Sequence, residues 1–389
     1  MISLLLAIIY MAFISLGLPD TLLGSAWPIM QVEMSVSIAY AGLVSMIIAG
    51  GTIVSSLLSD KLTKMLGTGL VTACSVLMTA VALFGFSFSN EFWMLCLWAI
   101  PYGFGAGAVD AALNNYVALH FSSRHMNWLH CCWGVGAAIS PYIMSSCLLK
   151  GLPWNSGYRT VGMIQIVLTV ILFISLPMWN IKKKQGEKEQ TVSSNLSFKQ
   201  LISIKGVKYV LFAFFAYCAF ETTAGLWASS YLVLERGITP NKAAQFTSFF
   251  YLGITIGRFL SGFISNAVGD RNMIRLGIMI VFVGVVAIFL PISTNSVCLI
   301  GLILIGLGCA PIYPAIIHLT PENFGAENSQ AIIGLQMASA YTGSTFMPPI
   351  FGLIARYITI ELFPIFLGVF VVIMMLATEI LNKKVKEKE

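Results

Sequence analysis

The chain has 389 residues, of which 58% are hydrophobic and 10% charged, where soluble domains carry about 25% charged residues. A mean hydropathy of +0.87 excludes a water-soluble globular protein and places the chain in a lipid bilayer. The net charge of +6 is expected to reflect membrane orientation, and a nucleic-acid partner is not expected.

A bilayer core of about 30 Å needs about 20 apolar residues at 1.5 Å per helical residue. Twelve spans of that kind are predicted, at 4–26, 37–58, 68–88, 92–118, 127–149, 158–181, 207–233, 242–264, 273–291, 295–319, 328–350 and 360–381. No basic segment or small-residue cleavage site follows the first span, so it is expected to be retained. Its interior holds Gly17, Pro19, Gly24 and Pro28, which predicts a bent helix because proline removes a backbone donor and clashes with the preceding turn.

The basic residues set the orientation. With the N-terminus inside, the inner loops and tail hold sixteen: Lys61, Lys64, Arg124, Lys182, Lys183, Lys184, Lys188, Lys199, Lys205, Lys208, Arg271, Arg275, Lys383, Lys384, Lys386 and Lys388. The outer loops hold five, Lys150, Arg159, Arg236, Lys242 and Arg356. This positive-inside bias predicts a multi-pass protein of the cell membrane with both termini in the cytoplasm. One long polar connection, Asn180 to Gly206, divides the chain into a six-helix bundle at 1–181, a cytoplasmic linker at 182–206 and a second six-helix bundle at 207–389. A short amphipathic piece is predicted in the linker at Phe198 to Ile204.

Three carboxylates stand inside apolar sequence: Asp20 in LGLPDTLLGSAWP, Asp110 in GFGAGAVDAALNN and Glu221 in FAYCAFETTAGLW. A charge at the centre of a membrane helix costs roughly 2.5 to 3.5 kcal/mol on insertion scales, so such residues normally face a cavity or a partner. Solute or proton handling is the reading they favour; a helix-to-helix hydrogen bond is the structural alternative. Asn114 follows Asp110 by one turn on the same helix face. The halves resemble repeats at an offset of about 200 positions, which carries Asp20 to Glu221, Asp110 to Tyr313 and His130 to Gln336.

Other features are expected to be structural. GFGAGA lies in an apolar span without a following Lys-Ser or Lys-Thr, so it is not a phosphate loop. Gly103 and Gly107, and Gly253 and Gly257, have the four-residue spacing of close helix contacts. Cys74, Cys96, Cys131, Cys132, Cys147, Cys218, Cys298 and Cys309 all fall in spans and read as small packing residues, with no metal or cofactor implied. Trp93, Trp128, Trp154 and Trp179 fall at span ends, where aromatic anchors are expected, and His318 reads as interfacial. His130 suits a cavity or an interface.

Six spans, a basic linker and six more spans resemble the major facilitator superfamily over the whole chain. Its inner-loop motif appears with Ser56 in place of the glycine before Asp60 and Lys61, and with Asn266 in place of the aspartate after Gly262. The pieces LGLPDTLL, GFGAGAVDAALNNYV, NWLHCCWGVGAAISP, TIGRFLSGF and PIYPAIIHL are similar to segments of the fucose:proton symporter family. The resemblance implies proton coupling and sugar recognition at Asp20 and Asp110. That family has glutamate where this chain has Asp110, glutamine where it has Glu221, and glutamine and asparagine where it has His130 and Trp133. These departures count against fucose as the substrate.

The expected protein is thus an all-α, twelve-helix secondary transporter of the major facilitator fold, not an enzyme, rocking two halves about a central cavity. A sugar-like solute, protons, the bilayer and a monomeric state are expected. Asp20, Asp110 and Glu221 are the proton-coupling candidates and also candidate solute ligands, with Asn114, His130, Tyr313 and Gln336. Trp27, Trp133 and Trp227 are expected to offer flat apolar walls. Asp60, Lys61, Arg258 and Arg271, with Arg275, are expected to form a charged inner gate. Sodium coupling, an exporter of amphipathic solutes and a non-transporting sensor are the alternatives.

Overall fold

A computed structural model of the chain describes residues 2–36, 40–179, 196–238, 240–290 and 295–386. Its regular elements among those residues are helices. They are α1 (Ile2–Asp20), α2 (Leu22–Glu33), α3 (Tyr40–Leu66), α4 (Thr68–Phe88), α5 (Phe92–His120), α6 (Ser123–Leu149), α7 (Asn155–Trp179) and α8 (Phe198–Ser203). There follow α9 (Val207–Leu234), α10 (Pro240–Val268), α11 (Asp270–Phe289), α12 (Asn295–His318), α13 (Thr320–Phe324), α14 (Ala326–Tyr357), a 3-10 turn (Ile360–Leu362) and α15 (Phe363–Lys386). Eleven passes among the described residues are long and apolar enough to cross a bilayer, and α14, richer in polar side chains, is the twelfth long helix.

The chain divides into two compact units. The first comprises residues 1–116 and 129–194, the second residues 117–128 and 195–389. The expected linker lies largely outside the described residues, including Lys182, Lys183, Lys184 and Lys188. Its amphipathic piece is α8, with Leu201 buried and Phe198 exposed. Ser197 caps it, its backbone N–H donating to Gln200 Oε1 at 2.8 Å.

The first pass is broken at Thr21, one residue after Asp20. Pro19 has no N–H to offer the Ser15 carbonyl one turn back, and the Gln165 amide of α7 donates to that oxygen instead, at 2.6 Å. The Ser15 hydroxyl returns a bond to Gln165 Oε1 at 2.9 Å. Pro141 in α6 likewise frees the Ala137 carbonyl, which accepts from the Thr21 hydroxyl at 2.9 Å. Both orphaned acceptors are therefore satisfied by side chains of neighbouring helices, the condition for tolerating broken backbone ladders in lipid.

In the first unit α1 lies against α6 at near-contact distance. A Cβ on Gly17 would collide with the Trp133 carbonyl, and one on Gly136 with the Ile14 carbonyl. Gly103 and Gly107 of α5 meet the backbone of α3, and in the second unit Gly253 and Gly257 of α10 meet α12, so the four-residue spacings mark helix contacts as expected. The halves repeat their internal packing, α3 on α5 matching α10 on α12. The corners repeat too: Gly67 before α4 and Gly269 before α11 have φ of 79° and 81°, a conformation that favours glycine.

Trp154 and Trp27 depart from expectation. Trp154 is not a membrane-surface anchor but is buried, donating from Nε1 to Glu33 Oε2 at 2.6 Å and meeting Tyr158 edge-on. Trp27 is not a cavity wall. It is 4% exposed within the apolar core of the first unit, with its ring edge-on to Phe92. Each indole packs edge-on against another aromatic ring inside the bundle, a specific contact beyond simple burial.

Candidate functional site

Asp20 ends α1, and two uncharged donors from two other helices hold it. Tyr102 of α5 donates its hydroxyl to Oδ1 at 2.9 Å, and Trp133 of α6 donates its indole N–H to Oδ2 at 2.9 Å. The tight α1–α6 contact at Gly17 and Gly136 brings Trp133 within reach. Trp133 therefore presents its polar edge to Asp20 and does not serve only as an apolar wall. Tyr102 is not among the candidates singled out from sequence; its place in AIPYGFG, directly before Gly103, the first of the two glycines that seat α5 on α3, is the only trace of it in the sequence.

A second polar chain crosses the same unit. Asp110 is 9% exposed, and its Oδ1 accepts from Asn114 Nδ2 at 2.8 Å. Asn114 Nδ2 also donates to the Asp110 carbonyl at 3.0 Å, and Asn114 Oδ1 lies 3.0 Å from His130 Nε2. With an amide oxygen as acceptor, Nε2 carries the proton. His130 is buried, with Phe13 edge-on to its ring at 5.4 Å, so its place is in the bundle and not at the membrane surface.

In the second unit Glu221 of α9 faces Arg258 of α10, Oε2 to Nη2 at 3.8 Å, with Arg258 4% exposed. Arg258 is thus inside the bundle beside a carboxylate, not among the inner-end charges where it was expected. Tyr217 lies one turn before Glu221 and packs against Tyr313 at 5.8 Å, while its hydroxyl donates to the Cys309 carbonyl at 3.1 Å. Tyr251 closes on Gly225, one turn after Glu221, where a Cβ would strike its hydroxyl. The pair is flanked by phenols and sits among apolar side chains, where opposite charges compensate each other's desolvation.

The remaining candidates are already engaged in packing. Tyr313 donates to Met337 Sδ at 3.2 Å and packs on Phe214. Gln336 is fully buried and exchanges hydrogen bonds with Thr320 at 3.0 and 3.2 Å. Trp227 donates to the Pro348 carbonyl at 2.9 Å and covers Phe351 edge-on, which makes it a helix-to-helix contact and not an open wall. Of the expected gate residues, Asp60 pairs with Lys64 at 2.6 Å on its own helix, and Lys61 is exposed. Arg271 binds Glu322 at 2.9 Å, and Arg275 grips Glu379 with two bonds of 2.6 and 2.8 Å.

The Major Facilitator Superfamily model matches residues 9–226 and 209–388. Over 256 residues the chain is 25% identical to the glucose/mannose transporter GlcP of Bacillus subtilis (strain 168), across 64% of this chain and 62% of that relative. It therefore spans less than two thirds of that relative's length. Among solved structures, the fucose:proton symporter FucP of E. coli superposes with a TM-score of 0.72 at 16% identity, covering 96% of this chain and 98% of that one. The proton:xylose symporter XylE gives 0.79 at 12% identity, covering 98% and 95%. At these identities the likeness is one of fold, a twelve-helix membrane architecture.

Proposed function

Because the chain belongs to the major facilitator superfamily, whose members are membrane transporters and not enzymes, we propose that it moves a sugar-like solute by alternating access coupled to protons. The observation that carries the reading is the environment of Asp20. Its carboxylate joins three helices through two neutral donors, with no cation among those hydrogen bonds. Protonating it removes the charge that both donors address, so proton binding and helix arrangement are coupled at one residue. Asp110, Asn114 and His130 supply the carboxylate, amide and imidazole that sugar hydroxyls accept from and donate to.

Glu221 has a cation beside it, so we assign it to solute recognition together with Arg258, and we assign the proton to Asp20. Trp133 and Tyr102 fit the amphipathic surfaces that sugar rings favour. The glucose/mannose relative and the two sugar symporters of like fold support this substrate class. The sixteen basic residues assigned to inner segments support a cell-membrane location with cytoplasmic termini.

The test is uptake by purified protein in liposomes, with labelled monosaccharides and imposed gradients. Accumulation driven by a proton gradient is expected. Accumulation driven by sodium alone would replace the coupling ion, and no accumulation of any sugar, with uptake of amphipathic cations, would replace the substrate class.

A further inference from the structure

We propose that His318 is a proton-dependent latch on the corner between α5 and α6, and that the latch must open for the corner to move. The corner, residues 117–128, packs within the second unit, although the helices on both sides of it continue into the first. Three side chains of the second unit hold it. Asp270, the first residue of α11, accepts from the Ser123 hydroxyl. His318, the last residue of α12, places Nδ1 2.6 Å from Asp270 Oδ2 and Nε2 3.0 Å from the Phe121 carbonyl. Asn266 Oδ1 accepts from the Arg124 backbone N–H at 3.3 Å.

The chemistry of the ring decides the protonation state. One nitrogen of His318 faces a carboxylate and the other a carbonyl, and both of those are acceptors. Only the imidazolium donates from both nitrogens; a neutral imidazole has one N–H and must surrender one of the two bonds. The charged ring therefore ties α11 to the corner, and the neutral ring cannot. Protons have a route to it, since Asp270 and His318 line a cavity of about 400 Å3 together with Ser122, Ser123, Asn272 and Glu322.

The other charged and titratable groups around this corner are Arg271, which is paired with Glu322, and His120, Arg124 and His125 on the corner itself. Of these, His120 and His125 share the imidazole titration range of about pH 5 to 8 and have to be separated experimentally. The link from latch to turnover rests on the transport reading above, but the latch itself can be read without any solute.

Hydrogen–deuterium exchange of the full-length protein, followed on peptides covering 117–128 and corrected for intrinsic rates, provides the test. Corner protection in the unaltered chain is expected to fall about tenfold from pH 6 to pH 8, the scale of one lost hydrogen bond to a charged group. His318→Gln should be less protected at pH 6 and flat with pH, while His120→Gln and His125→Gln should each keep the pH response. A pH-independent corner in the unaltered protein, a response that survives in His318→Gln, or one that vanishes only in His120→Gln or His125→Gln would each overturn the latch. If transport proves absent while the response persists, the function fails and the latch stands.

Discussion

Glu221 and Arg258 face each other at 3.8 Å, beyond direct hydrogen-bond distance but close enough for each to compensate the other's burial. Removing one partner leaves a lone charge in the bundle, which costs about 3 to 5 kcal/mol for a fully buried pair. Glu221 is 20% exposed at its side chain, so the lower end applies. Arg258→Gln and Glu221→Gln should each lower the melting temperature of the detergent-solubilised protein, and the double variant should recover part of the loss. A double variant as unstable as the sum of the singles would refute the pairing.

Asp20→Asn keeps the shape of the carboxylate and removes its titration. Gradient-driven sugar accumulation should drop to the level of protein-free liposomes, while exchange of labelled for unlabelled solute survives. Loss of both would assign Asp20 to solute binding and not to coupling.

His130 donates to a buried amide oxygen, and Asn114 is itself fully buried. His130→Leu leaves that oxygen without its donor, at a cost of about 1 to 3 kcal/mol, whereas His130→Gln can donate in its place. Thermal unfolding should separate the two variants, with glutamine the milder. Equal destabilisation would mean the bond contributes nothing.

Gly136→Val drives a Cβ into the Ile14 carbonyl, a backbone atom that cannot rotate away. The protein should fail to give a monodisperse peak in size-exclusion chromatography. Gly24→Ala, where nothing lies within 4 Å of the added carbon, should behave as the unaltered chain.

The succession of long apolar helices, the break in the first pass and the small-residue contacts could be read from apolar length, proline positions and glycine spacing. These signals are local, and lipid makes them strong, because every unsatisfied backbone group is costly there. The pairing of Asp110 with Asn114 was also legible, since positions four apart share a helix face. What could not be read was the choice of partner across helices. Nothing local in TIGRFLSGF tells Arg258 to stay beside Glu221, and nothing in AIPYGFG points Tyr102 at Asp20. The same applies to Trp27 and Trp154, whose sequence positions suit several surfaces, and to His318, whose role depends on Asp270 and Phe121, 48 and 197 positions away.

The break at Thr21 has a mechanical consequence. Helices normally resist bending because a bend must stretch bonds of their own ladder, but Pro19 has already removed one of those bonds, and Gln165 holds the freed oxygen from the side. Thr21 is tethered across to Ala137, at the point where α6 lacks a bond because of Pro141. Two interrupted rods are thus stitched together by side chains at their weak points. A change of charge at Asp20 therefore acts next to a compliant joint, where a small force turns a long lever.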